Sequence, residues 1–288
     1  MAAMADKIEE TGMEIGAVLD HLQLCTPQPE ALARFYAQAY GMRATPQAGG
    51  AWVCEGPGRA VALLPGKQHQ LGYAAFRFAD AAAFEAQRLR VPADALCEVP
   101  AGHLLEGAAF ALRDPEGHVL VFLHRPAPAV PATAAVPGAF CQHFALRTPD
   151  TARLADFYEK QLGFVVSDRV RDADGVLRAC FLRSDKLHHV LALFMAPEAR
   201  FDHQSFEAPD WTALRDWADH MGRERLAIVW GVGRHGPGND VFFMIADPDG
   251  NLAEISAEIE VCAPGRPAGL WPHEQRTLNQ WGAAIMRS

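Results

Sequence analysis

No run of about 18 consecutive apolar residues occurs in the chain, so the sequence offers no helix that could cross a membrane. The N-terminal MAAMADKIEETGMEI is charged and carries no apolar segment of the kind an export signal requires, and a cytoplasmic protein is expected. Basic runs are also missing. Lys and Arg number 26 against 35 Asp and Glu, scattered along a chain of formal net charge -9, which disfavours nucleic acid or an anionic membrane as a partner and favours a small molecule. The six cysteines (Cys25, Cys54, Cys97, Cys141, Cys180, Cys262) include no CxxC pair, so neither a zinc knuckle nor a disulfide framework is signalled, and small buried hydrophobes are expected.

What the chain does contain is apolar bulk and a repeat. With 288 residues, 50% of them hydrophobic, it can fill the cores of two ordinary domains. The stretch VLDHLQLCTPQPEALARFYAQAYGM (Val18–Met42) aligns with FCQHFALRTPDTARLADFYEKQLGF (Phe140–Phe164), bringing His21 onto His143, Thr26-Pro27 onto Thr148-Pro149, Phe35-Tyr36 onto Phe157-Tyr158 and Gly41 onto Gly163, all 122 residues apart. Ala17 to Leu24 alternates as a strand does, and Gln28 to Tyr40 has helical spacing. Each copy then repeats internally: Leu71–Gln87 and Phe201–Trp217 both read as a strand followed by a helix, and LRDPEGHVLVF (Leu112–Phe122) matches IADPDGNLAEI (Ile245–Ile255). Asp247-Pro248-Asp249-Gly250 predicts a hairpin turn between Val241–Ala246 and Asn251–Ser256, because Pro presets φ and Gly accepts the positive φ that closes the turn.

Between the copies lies PAPAVPATAAVPG, whose composition suits a semi-rigid linker. The expected organisation is an N-terminal domain at 16–126, a linker at 127–138, a C-terminal domain at 139–261 and a tail at 262–288. Residues 1–15 read as a loose leader, and the tail as a segment that packs back on the domain, with Trp271 and Trp281 covering core edge. Each domain holds two units of strand, helix and several strands, and pairing the units curves their sheets around a shared cavity, an α+β architecture.

Residues that are polar in one copy and apolar in the other are the informative ones. His143, His203 and Glu254 stand where the first copy has His21, Tyr73 and Val121. A lone strand histidine ordinarily reads as a satisfied buried imidazole, but these three are equivalent points of a paired repeat, which directs them to one end of one cavity. Burying Glu254 unpaired is costly, so something cationic is expected opposite it. Two imidazoles and one carboxylate leave coordination positions open, which suits non-haem Fe(II) and its reactions with O2, whereas structural zinc prefers a closed tetrahedral set.

From about Ala17 to Val261 the chain resembles the two-domain type I extradiol ring-cleaving dioxygenases of the vicinal oxygen chelate superfamily. The resemblance rests on the three ligand positions, on an HHxxAL motif matched by His188-His189-Val190-Leu191-Ala192-Leu193, and on a GRHG loop at Gly233–Gly236. It implies paired βαβββ modules forming an open barrel in each domain, and Fe(II), or alternatively Mn(II), held only in the C-terminal domain by His143, His203 and Glu254. It also implies O2 as co-substrate, His189 and His235 as catalytic and substrate-binding residues, a catecholic small molecule as substrate and a homo-oligomer. One position departs from the pattern: where relatives carry Tyr three residues before the Asp of the DPDG turn, this chain has Met244, which cannot donate a hydrogen bond to a bound substrate.

Taken alone, His188-His189 reads as a pair at the exposed start of a strand with one ring facing solvent, and His235 as a polar loop residue. Arg234 and Asn239 read as loop anchors, Asp247 and Asp249 as turn residues outside any ligand set. Two other functions stay open on the sequence: a metal-dependent isomerase or lyase similar to glyoxalase, and a non-catalytic binding protein similar to the bleomycin-resistance proteins. Iron content and O2 consumption separate all three.

Overall fold

The computed structural model describes residues 14–126 and 136–286, so most of the expected leader and linker lies outside the described residues. The first half runs β1 (Ala17–Thr26), α1 (Pro29–Tyr40), β2 (Arg43–Pro46), β3 (Trp52–Gly56), β4 (Arg59–Pro65), then β5 (Gln70–Phe78), α2 (Ala81–Arg90), β6 (Leu96–Cys97), β7 (Ala108–Arg113) and β8 (Val119–His124). The second half repeats the order: β9 (Phe140–Thr148), α3 (Thr151–Asp156, continued by a wider turn to Gln161), β10 (Val165–Arg171), β11 (Leu177–Arg183), β12 (Leu191–Met195), then β13 (Arg200–Ala208), α4 (Trp211–Arg223), β14 (Ile228–Arg234), β15 (Val241–Ala246) and β16 (Leu252–Ala257). Four βαβββ modules therefore build an α+β protein, followed by β17 (Gly269–Pro272) and the short α5 (Gln275–Leu278).

Each half supplies one sheet. The first has the order β2-β3-β4-β1-β5-β8-β7-β6; the second, β14-β15-β16-β13-β9-β12-β11-β10, gains β17 at its β10 edge. In both, the opening strands of the two modules pair antiparallel at the centre, β1 with β5 and β9 with β13. No helix among the described residues is long and apolar enough to cross a membrane.

Strand alternation makes two apolar layers from one sheet. On β9, Phe144 and Leu146 join the large core shared with the helices, while Ala145 joins a second cluster with Ala179, Phe181, Ala192, Phe194 and Met244 on the opposite face. That second face is the interior of the curved sheet. Aromatic contacts tie the halves together: Phe76 of β5 lies 5.5 Å from Phe164, and Tyr40 of α1 lies 4.9 Å from Phe206 of β13. Of the cysteines, Cys54, Cys141, Cys180 and Cys262 are buried as expected, but Cys25 and Cys97 are only half-buried, since both stand near strand ends.

Candidate metal centre

His143, His203 and Glu254 lie on β9, β13 and β16, three neighbouring strands of the second sheet. Their register explains the convergence: Ser205 of β13 stands opposite both His143 and Glu254, and His203 is two residues back on the same face. His143 Nε2 and His203 Nε2 are 3.2 Å apart, and Glu254 Oε2 is 3.7 Å and 3.5 Å from them. All three residues are buried.

The other side of each ring fixes its tautomer. His203 Nδ1 donates to Asp202 Oδ1 at 2.7 Å, and Asp202 is held in turn by Arg147 Nε at 2.6 Å. His143 Nδ1 meets Gln142 Oε1, an amide oriented by its Nε2 donating to the His189 carbonyl. With both Nδ1 atoms protonated, both Nε2 atoms present lone pairs to the same point as the Glu254 carboxylate. Three electron-pair donors 3.2–3.7 Å apart match the spacing of ligands about 2.0–2.2 Å from one ion, so the residues present fit a divalent metal. A metal ion held by these three would supply the cation expected opposite Glu254. Burial, followed by the neighbouring imidazoles, pushes the His143 pKa well below the usual imidazole range, which keeps it a neutral ligand.

The first sheet shows what the same positions do without this set. His21 Nδ1 donates to Asp20 Oδ2 at 2.7 Å, and its Nε2 takes the Tyr73 hydroxyl at 2.9 Å. The hydroxyl satisfies the lone pair that a metal would otherwise engage, and Val121 offers no ligand.

Both histidines of the 188–189 pair are buried, contrary to the expectation that one faces solvent, because the preceding segment is covered by 260–262: His188 N donates to the Glu260 carbonyl and Cys262 N to the Lys186 carbonyl. His189 packs on His143 with ring centroids 4.4 Å apart. His188 Nδ1 lies 3.0 Å from His189 Nδ1, and His188 Nε2 stands 3.1 Å from Asp168 Oδ2, a close contact on which the carboxylate attracts the ring proton. That arrangement makes His188 the acceptor for His189 Nδ1–H and leaves His189 Nε2 as its lone-pair atom. Burial works against a charge on Asp168, but His188, Trp271 Nε1 (2.7 Å) and Arg266 Nη1 (3.1 Å) outweigh it and lower its pKa. Burial, then His143 and His188, holds the His189 pKa well below the usual range.

His235 follows β14 and reaches the centre from its rim. Its Nδ1 donates to the Leu278 carbonyl at 2.5 Å, its ring stacks on Phe242 at 3.7 Å, and its Nε2 is 3.9 Å from Glu254 Oε1. Met244 on β15 stands opposite Glu254 in the strand register and lines the same cavity as His143, His189, His203 and His235. Phe181, Ala192, Phe194, Trp230 and Leu278 complete most of the wall. Asp240, buried and with no hydrogen bond to either carboxyl oxygen among the described residues, forms a second donor group with His235 and Glu254. Burial raises its pKa. Gly238 (φ +81°) permits this packing, since a Cβ there would sit 2.9 Å from Asp240 Oδ1 and 3.1 Å from His188 Nδ1. Asp247 binds the backbone N–H of Asp249 and Asn251, and Arg234 binds the Asn239 carbonyl and Glu258, as turn and loop anchors do.

Comparison with known proteins agrees with this geometry. The family model described as Glyoxalase/Bleomycin resistance protein/Dioxygenase superfamily matches residues 141–255. Biphenyl-2,3-diol 1,2-dioxygenase of Pseudomonas sp. (strain KKS102) is 30% identical over 240 residues, which cover 75% of this chain and 80% of that protein. Metapyrocatechase 2 of Cupriavidus necator is 34% identical over 145 residues, but the match spans only 44% of its length and 50% of this chain. Among solved structures, homoprotocatechuate 2,3-dioxygenase of Arthrobacter globiformis superposes with a TM-score of 0.76 at 22% identity, covering 96% of this chain and 91% of that one. The Mn(II)-bound glyoxalase of Novosphingobium aromaticivorans gives 0.77 at 21% identity, covering 94% and 93%. The chain belongs to the glyoxalase/bleomycin-resistance/dioxygenase superfamily, in its extradiol dioxygenase branch.

Proposed function

We propose that the protein is an Fe(II)-dependent extradiol dioxygenase that opens a catecholic ring beside its vicinal hydroxyls, using O2 and placing both oxygen atoms in a muconic semialdehyde type of product. The observation that carries the reading is the convergence of His143 Nε2, His203 Nε2 and Glu254 Oε2 at the head of an apolar cavity walled by Met244 and Phe194. Catalysis belongs in this reading to a C-terminal domain at 139–261, with the domain at 16–126 as its structural partner. The residues proposed as ligands are His143, His203 and Glu254; Mn(II) suits the same donors.

When bound, the metal supplies a template and an electron path between a catechol and O2. His189 is the general base: its neutral ring lines the cavity, its Nδ1 is engaged by His188, and its Nε2 is the atom that accepts a hydroxyl proton and later returns one. His235, anchored by the Leu278 carbonyl, presents Nε2 to the substrate oxygen. Phe181, Phe194 and Trp230 keep water from the ring. The test is anaerobic purification with Fe(II), followed by O2 uptake across a panel of catechols. Uptake matched to ring-opened product supports the proposal, and iron-loaded protein that consumes no O2 with any catechol refutes it.

A further inference from the structure

We infer that Asp168 is a positioning residue for His189, acting through His188, and that Arg266, Gly269 and Trp271 of the C-terminal tail serve the reaction by holding Asp168. The inference rests on the catechol reading of the site. Asp168 lies on β10, fully buried, and both its oxygens are engaged. Oδ1 accepts from Arg266 Nη1 at 3.1 Å and Gly269 N at 3.0 Å, and Oδ2 accepts from Trp271 Nε1 at 2.7 Å with His188 Nε2 3.1 Å away. These donors reach it because β17 pairs parallel with β10 in the register that sets Gly269 beside Asp168. The fit requires glycine there, since a Cβ on residue 269 would collide with Asp168 Oδ1.

The tautomers of two rings follow from this carboxylate. It draws the His188 proton to Nε2, which leaves the His188 lone pair at Nδ1, 3.0 Å from His189 Nδ1; His189 then carries its proton at Nδ1 and its lone pair at Nε2. Asparagine at 168 reverses the order. Glu260 keeps Arg266 in place through its Nε and Nη2 at 2.6 Å and 2.9 Å, so the amide oxygen turns to Arg266 and Gly269, and the NH2 opposes one fixed donor, Trp271, where the other orientation would oppose two. That NH2 faces His188, which must accept at Nε2 and protonate Nδ1. His189 in turn accepts at Nδ1, and its proton moves to Nε2, the atom that takes one from the substrate.

The experiment compares the iron-loaded protein with Asp168→Asn, His188→Leu, His189→Phe and the double variant Asp168→Asn/His189→Phe. With 4-methylcatechol, Asp168→Asn and His188→Leu are each expected to keep iron and KM and to lose about 10²-fold or more in kcat, as a base held in the wrong tautomer does. The double variant should lose no more than His189→Phe alone, because a residue acting only through His189 then has nothing to act on. A second readout needs no turnover. The visible band of 4-nitrocatechol, bound without air, moves with the hydroxyl protons the probe retains, and the band in Asp168→Asn should match that in His189→Phe and differ from the parent. Losses that add in the double variant, or a parent-like band in Asp168→Asn, overturn the part given to Asp168. If Asp168→Asn does not fold, His188→Leu decides, and an unchanged kcat with a parent-like band overturns the inference. A parent that turns over no catechol overturns the catechol reading itself, and this inference with it.

Discussion

Asp202→Asn alters neither the fold nor the three ligands, yet it should weaken iron binding. Asp202 is an acceptor on both oxygens, Oδ1 to His203 Nδ1 at 2.7 Å and Oδ2 to Arg147 Nε at 2.6 Å. An asparagine has one acceptor to offer. If it turns its oxygen to Arg147, its NH2 faces His203 Nδ1, and the ring must move its proton to Nε2, the atom that faces Glu254 at 3.5 Å. If it turns the oxygen to His203, two donors meet at Arg147. The neighbours of metal-binding histidines typically contribute about 10–100-fold in metal affinity, or about 1.4–2.8 kcal/mol, and this substitution should fall in that range. The assay is anaerobic competition for Fe(II) against a coloured chelator, with circular dichroism to show that the fold is retained. Unchanged affinity in Asp202→Asn would refute the tautomer argument on which the centre is built.

Further outcomes are expected. His203→Ala should abolish iron binding while His21→Ala leaves it intact, because Tyr73 already satisfies His21; equal loss in metal analysis would contradict a centre confined to the second sheet. His189→Phe should keep its iron and lose about 10²–10⁴ in turnover, and loss of iron instead would make it a ligand. In the first sheet Asp20 binds His21, Arg77 and Arg125; burial opposes its charge, but His21 and Arg125 outweigh it and lower its pKa below 3.8. A depressed carboxylate contributes stability that is present above its unfolded pKa and fades as pH falls through the folded one. Asp20→Asn should therefore cost about 3 kcal/mol near neutral pH, with the gap in melting temperature from the parent closing below pH 3.8, and a gap that is independent of pH would contradict the network.

The four-module plan was legible because alternation and helical spacing recur at the same places in both copies. The hairpin strand Val241–Ala246 appears with the expected bounds, and α1 begins at Pro29 rather than Gln28 because Pro sits well at the first helical position. His143, His203 and Glu254 could be picked out because the other copy holds residues that cannot replace them. The cavity wall could not. Phe181 and Phe194 face the interior, whereas Cys180 and Leu193 beside them face the helices, and composition alone does not say which face of a doubly buried strand is which. The contact between Asp168 and His188 crosses 20 positions of chain, and the support of Asp168 by Arg266 and Trp271 depends on the tail folding back. The tail carries no periodicity that would announce β17, nor any sign that Leu278 reaches the site, so its part went beyond covering core edge.

Incubating the iron-loaded protein with 4-methylcatechol under ¹⁸O2 and weighing the product tests the central claim most directly. The account predicts a ring-opened product carrying two labelled oxygen atoms, with none formed by His203→Ala. Product formed without labelled oxygen would contradict it and place the protein with the isomerases and lyases of its superfamily.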